Sequence, residues 1–314
     1  MRIGLSLLNF ETPGHPAERF ERVIEAVLAA ESSEVFDSVW VGDHLNHIFG
    51  GPMLDSFTLL GAIAARTERV RLGVLVAAVS LRTPALIARA ALTLDVISGG
   101  RAELGLGAGV GRAEHLAHGL PFPPTRERLE RLEEAVSICR ALFSGRRSDF
   151  QGRHFSLEGA EMDPPPLQPG GPPILIGGRS REALEIAARY GDAANLTYPT
   201  VSEVRERFAL LDSLSIGAGR PAGSVRKTVM TAMVVGRNVS EANLAAEAFR
   251  ERRNMPRERF DETVVAGGPA AARDRIAELE AVGVQELYVG LPALYEPGNL
   301  DLAVEILGQL GSDQ

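Results

Sequence analysis

Short aliphatic or β-branched runs alternate along the chain with amphipathic stretches of helical length, the pattern of βα units around a parallel sheet. Eight runs stand out: Arg2–Leu7, Ser38–Gly42, Arg71–Ala77, Ala102–Leu106, Pro173–Ile176, Ala193–Asn195, Lys227–Val235 and Gln285–Val289. A helix-like stretch follows each, so the pattern predicts a closed (β/α)8 barrel, a TIM barrel of the α/β class. Pro16 and Pro269 stand where first-turn prolines belong, and Gly191 and Gly283 follow the last periodic residues of two helices. From Thr125 onward, Leu129, Leu132, Val136, Cys139 and Phe143 recur at three- and four-residue spacing opposite Arg and Glu, which predicts a packing helix.

The 314 residues exceed a minimal barrel of roughly 250. The excess falls near 110–124, after the fourth strand, and 144–172, before the fifth, so residues 1–314 read as one barrel domain with two insertions. The second insertion contains a candidate hairpin, Ser148–Leu157, followed by Pro164, Pro165 and Pro166. Phe122, Phe150, His154 and Phe155 in these segments are expected to build a partly apolar substrate wall.

Composition narrows the class further. With 45% hydrophobic and 24% charged residues the chain can bury a large core, which excludes disorder. A net charge of −8 and a single lysine, Lys227, leave no basic face for nucleic acid. The opening MRIGLSLLNF is not a signal peptide and no run is long enough to span a membrane, so no membrane partner is expected. The one cysteine, Cys139, lies on an apolar helical stripe and fits a reducing compartment, so the expected location is cytoplasmic.

Barrel enzymes place their chemistry at the C-terminal ends of strands. The second strand ends in Asp43-His44-Leu45-Asn46-His47, the richest polar cluster in the chain. Three readings compete there. Asp43, His44 and His47 could converge on a metal, although a turn rarely aims three neighbours inward and no HExxH cluster supports it. Asp43 could cap the next segment, with the histidines bonded locally. Or the cluster contacts cofactor or substrate, with His44 as general acid and base.

The fifth strand, Ile174-Leu175-Ile176, runs into Gly177-Gly178-Arg179-Ser180 and a helix start. Backbone N–H groups, the helix dipole and the Arg179 and Ser180 side chains suit a phosphate; an ordinary βα turn is the competing explanation. The glycines at 105, 107, 109 and 111 superficially match a dinucleotide fingerprint, but the run does not open the first βα unit and no helix is expected to begin on Gly111. They suit clearance over a flat ring. No P-loop, Gly-x-Ser-x-Gly elbow or paired-cysteine motif is present. Glu114 and His115 could overhang the mouth, although an exposed helix charge is the simpler expectation for Glu114.

Together these segments resemble the luciferase-like family of flavin- and deazaflavin-dependent oxidoreductases, most of all its F420-dependent branch. The stretches that carry the resemblance are Val39–Leu45, Arg66–Gly73, Arg82–Arg89, Leu94–Arg101 with Gly105–Gly109, and Pro173–Gly178, in that order. The resemblance implies a barrel mouth that binds coenzyme F420, with FMN as the alternative. It places His44, with Asp43 beside it, at the reactive face of the ring. It places Leu75 and Val76 where relatives often carry a non-prolyl cis peptide, Gly107, Ala108 and Gly109 beside the ring or ribityl chain, and Gly177, Gly178, Arg179 and Ser180 on the phosphate. Val110 stands where sugar-phosphate dehydrogenases of the family carry a catalytic glutamate, which argues against that reaction; Glu114 is the candidate catalytic substitute. Asn9 is a candidate substrate donor. The resemblance further implies a homodimer acting on a small molecule without metal. The functions in contention are hydride transfer between F420 and a small organic substrate, FMN-dependent monooxygenation, a non-catalytic flavin-binding protein and a metal-dependent barrel enzyme.

Overall fold

The computed structural model describes residues 1–7, 10, 15, 18–46 and 52–311. In chain order the elements are β1 (Arg2–Leu7), α1 (Arg19–Ser32), β2 (Ser38–Val41), α2 (Ser56–Ala64), β3 (Arg71–Ala78), α3 (Pro84–Ile97), β4 (Ala102–Gly107), α4 (Arg112–Ala117) and α5 (Thr125–Phe143). They continue with β5 (Ser148–Gln151), β6 (Ser156–Ala160), β7 (Ile174–Gly177), α6 (Arg181–Tyr190), β8 (Ala193–Thr197), α7 (Val201–Gly217), β9 (Arg226–Val235) and α8 (Val239–Arg252). The last are α9 (Arg257–Thr263), β10 (Val265–Gly267), α10 (Pro269–Ala281), β11 (Glu286–Gly290) and α11 (Asn299–Gly308).

Eight parallel strands close on themselves in the order β1, β2, β3, β4, β7, β8, β9, β11, and β11 pairs back to β1. This is the expected (β/α)8 barrel, with strand ends displaced by one or two residues from the sequence reading. Alternation along each strand divides the two cores. Val39 and Val41 pack outward under the helices while Trp40 between them fills the barrel interior with Leu175, Met230, Ala232 and Tyr288. The Trp40 and Tyr288 rings lie 4.6 Å apart. Glycine at position 73 admits the indole, since an added Cβ would run into its ring.

Helix punctuation follows the expectation at Pro269, in the first turn of α10, and at Gly191 and Gly283, at the ends of α6 and α10. Pro16 lies outside the described residues. The second insertion forms the β5–β6 antiparallel hairpin. Two features were not expected. A six-residue helix, α4, does begin after Gly111, which caps it at φ 78°; six residues are too few for a periodic apolar stripe to announce it. Between β9 and α10 the chain adds α9 and the three-residue β10, which extends the sheet beside β9.

Candidate active site

At the C-terminal mouth of the barrel lies a cavity of about 510 Å³. Among the described residues, those the resemblance assigns to the cofactor or to catalysis all line it. Asn9 and His47 fall outside the described residues.

The floor is made by β3, β4 and β7. β3 loses register with β4 between Val74 and Ala77, and the Leu75–Val76 peptide there is cis, at the position the resemblance singles out. The Val76 methyls lie so close to the neighbouring strands that a Cβ on Gly107 would sit 2.5 Å from one and a Cβ on Gly177 3.0 Å from another. Gly109, at φ 87°, runs against Ser80, and a side chain there would overlap the Ser80 hydroxyl. The glycines are therefore required by close strand approach, and they leave a low floor on which a flat ring can lie.

At one end of the floor β7 turns into α6. The Gly178 N–H donates to the Asn195 carbonyl at 3.1 Å, and the Ser180 side chain caps the helix by accepting from the Ala183 N–H at 3.2 Å. Arg179 is largely exposed, donates to the Thr197 carbonyl at 3.3 Å and lies 3.8 Å from Glu203, a loose pairing that leaves its guanidinium able to turn toward an anion. The Glu182 carboxylate is held below the usual carboxylate range by its own backbone N–H and the Ser180 hydroxyl. A helix start already attracts an acid side chain here, so it can attract a phosphate.

The opposite rim carries His44. Among the described residues Asp43 caps no helix: it is buried, accepts from the Ser56 hydroxyl at 2.8 Å and takes a bidentate hold on Arg82, whose Nε and Nη2 lie 3.0 and 2.9 Å from its two oxygens. These bonds and the nearby Asp55, itself the cap of α2, push the Arg82 pKa upward. Arg82 was legible only as part of the resemblance, because its role depends on a turn brought across from β3.

Glu114 corrects an expectation. It is no exposed helix charge but 3% accessible, with Oε2 3.3 Å from His44 Nδ1 and Oε1 accepting from the backbone N–H groups of Leu45 and Asn46. Burial opposes its ionisation, but the donors Asn46, His44 and Leu45 outweigh that and hold its pKa below the usual carboxylate value. His115 is wholly buried beside it, 2.8 Å from the Ser80 hydroxyl. Asp43 and His44 thus hold different partners, and among the described residues no three His, Cys, Asp or Glu side chains gather around one metal position.

The aromatic wall expected from the insertions is also corrected. None of Phe122, Phe150, His154 and Phe155 lines the cavity. Phe122 lies under the Arg128 guanidinium and against His115; Glu134 collects the N–H groups of Arg153, His154 and Phe155 and fastens the hairpin to α5 instead. The wall comes from Val110 and from Thr125, Arg128 and Leu129 at the start of α5, with Asn195, Thr197 and Met230 opposite. Thr197 ends β8, where the barrel rule could have found it, whereas Asn195 and Met230 lie within β8 and β9.

Known proteins resemble the chain in sequence and in fold. Over 221 residues the chain is 35% identical to an F420-dependent glucose-6-phosphate dehydrogenase from Kineococcus radiotolerans, a match spanning 68% of this chain and 64% of that relative. It is 27% identical over 297 residues to a 5,10-methylenetetrahydromethanopterin reductase from Archaeoglobus fulgidus, covering 82% of this chain and 86% of the relative. In fold it superposes on an F420-dependent secondary alcohol dehydrogenase solved with an F420–acetone adduct, with a TM-score of 0.84, 20% identity and 98% of each chain covered. Since the family model for luciferase-like monooxygenases matches residues 1–254, well over half of the chain, the protein belongs to the luciferase-like monooxygenase family.

Proposed function

We propose that the chain is an oxidoreductase that passes a hydride between coenzyme F420 and a small organic substrate. The observation that carries this reading is the single cavity that joins a glycine-cleared floor, a phosphate-ready helix start and a histidine on the facing rim. Its volume of about 510 Å³ lies within the usual range for cofactor sites, about 300–1,000 Å³. Leu75, Val76, Gly107, Ala108 and Gly109 would support the ring, and Gly177 through Ser180 would hold the phosphate. When bound, the deazaflavin supplies the two-electron hydride chemistry. The protein's part is to fix the substrate carbon over the ring and, at His44, to take the hydroxyl proton in oxidation or return it in reduction.

The lining also bears on substrate. Its two cations are Arg128 and Arg179. Arg128 donates to the carbonyls of Gly109 and Pro123 and to the Thr125 hydroxyl, which commits its guanidinium to the wall. Arg179 stands at the phosphate end, and the residues outside the described ones include no Lys or Arg. Val110, 62% exposed, adds apolar surface. These features favour an uncharged alcohol or ketone over a sugar phosphate.

A cytoplasmic location is supported by the buried Cys139, and no helix among the described residues is long and apolar enough to cross a membrane. Exposed Leu86 and Ile97, on one outer face of α3, favour pairing with a second copy.

The test is purification from a host that makes both F420 and FMN, followed by absorbance and fluorescence of the bound cofactor and assays on neutral alcohols, ketones and glucose 6-phosphate. Bound FMN with oxygen-dependent turnover overturns the F420 reading in favour of a monooxygenase. F420-dependent turnover of the sugar phosphate alone overturns the substrate class.

A further inference from the structure

The carboxylate behind His44 is shared between two kinds of donor, and the division is informative. Oε1 of Glu114 takes the backbone N–H groups of Leu45 and Asn46, at 2.5 and 3.0 Å, while Oε2 faces His44 Nδ1 at 3.3 Å. An ionised carboxylate only accepts hydrogen bonds, so the nitrogen opposite it must carry a hydrogen. The donors that lower the Glu114 pKa keep the group ionised at neutral pH. In the neutral ring the hydrogen then sits on Nδ1, and the lone pair is on Nε2.

We propose that Glu114 is a positioning residue that fixes His44 in the Nδ1–H form and so makes Nε2 the atom that exchanges a proton with substrate. The proposal rests on reading His44 as the proton-handling group. In the oxidative direction the substrate O–H proton passes to Nε2 while the hydride on the carbinol carbon leaves for the cofactor, giving a carbonyl and an imidazolium whose charge Glu114 balances through Nδ1–H. Reduction runs the same exchange backward.

The setting makes this a built arrangement. Gly111 in the left-handed region turns α4 so that Glu114 and His115 both face inward. His115 anchors the helix on the β3 side, with Nε2 2.8 Å from the Ser80 hydroxyl and Nδ1 3.0 Å from the Gly111 carbonyl. Glu114 ties it to the residues after β2. Among the described residues, Asp43 and Asp55 are engaged by Arg82, and Glu114 is the carboxylate that faces Nδ1 of the ring.

Glu114→Gln separates charge from shape. Two backbone N–H groups claim the position of Oε1, so the amide oxygen belongs there and the amide NH2 is turned toward Nδ1. A donor at that place forces the hydrogen to Nε2. Nitrogen-15 NMR of the His44 ring, in the protein with and without F420, should therefore show the Nδ1–H form in the wild type and the Nε2–H form in the variant. Turnover of the holoenzyme at saturating substrate should fall by about 10²–10⁴-fold with cofactor affinity retained, the scale set by tautomer reversal in other carboxylate–histidine pairs. An Nε2–H ring in the wild type overturns the proposal, and this measurement needs no variant to fold. An unchanged tautomer in a folded E114Q protein also overturns it. A reversed tautomer with undiminished turnover leaves the positioning role standing and removes His44 from the proposed chemistry.

Discussion

Replacing Gly107 by alanine tests whether the floor of the cavity is shaped by strand approach. The new Cβ would lie 2.5 Å from the Val76 Cγ2 atom, whereas carbon atoms in contact settle at about 3.5–4.0 Å. At least about 1 Å of movement is therefore needed. β4 is hydrogen-bonded on both sides, to β3 and β7, so the strand cannot easily retreat. Val76 is β-branched and stiff, and an off-rotamer setting costs about 0.5–1.5 kcal/mol. With small backbone shifts the whole comes to about 1–3 kcal/mol, the usual range for overpacking. Because Val76 and Gly107 both line the cavity, the direction of relief is into the cofactor's space. Cofactor affinity should fall by about 5–150-fold, while the unliganded melting temperature falls by only a few degrees, at about 2 °C per kcal/mol for a chain of this size. Val76→Ala in the same chain removes the methyl in the way and should recover most of the lost affinity, a coupling measurable by fluorescence titration of all four proteins. Equal affinity for G107A and wild type, or no recovery in the double variant, would refute the account of the floor.

Acid should weaken the C-terminal rim. Burial opposes ionisation of both Asp55 and Glu114, but Thr58 and Arg82 for the first, and Asn46, His44 and Leu45 for the second, lower their pKa values in the folded chain. Depressed values stabilise above the unfolded pKa and lose that contribution as pH falls through the folded one, so urea midpoints should hold from pH 7 to 5 and drop below about pH 4. A midpoint that rises on acidification contradicts this. At the phosphate end, Glu182→Gln removes the carboxylate that occupies the Ser180 hydroxyl and the helix start, and should tighten F420 binding by several-fold at neutral pH. Weaker binding would show that Glu182 supports the site. Cys139 is fully buried, with its thiol pushed up to about 12 by desolvation, and should react with a disulfide reagent only as the protein unfolds. Rapid labelling of the native chain would place it elsewhere.

The barrel was legible because each strand carries a compact apolar run and each connection its own punctuation. β10 was not, since Val265–Gly267 is too short to register against the alternation of its neighbours. The glycine and histidine positions of the site were legible for a related reason: barrel chemistry gathers at strand ends, and strand ends can be found from pattern. What pattern could not supply was orientation in the insertions. Phe150 and Phe155 have the composition of a pocket wall, yet their hairpin is drawn to α5 because Glu134 gathers three of its backbone N–H groups. That choice depends on a carboxylate nearly twenty residues away in sequence, and periodicity contains no trace of it.

Glu114 shows the same limit in a place that matters for chemistry. A charged residue in a six-residue helix reads as solvent-facing, and the left-handed turn at Gly111 reverses that orientation. Val110 and Glu114 differ in the same way: the first is 62% exposed on the cavity wall, the second 3% exposed behind His44. A carboxylate at position 110 would meet substrate directly, whereas one at 114 acts through the imidazole. Moving the charge distinguishes the two. In a Glu114→Gln background, Val110→Glu restores an acid to the cavity but leaves an amide donor opposite Nδ1, so the ring should keep its reversed tautomer and turnover should stay low. Recovery of turnover in that double variant would mean that negative charge near the substrate is what counts, and the tautomer would be incidental.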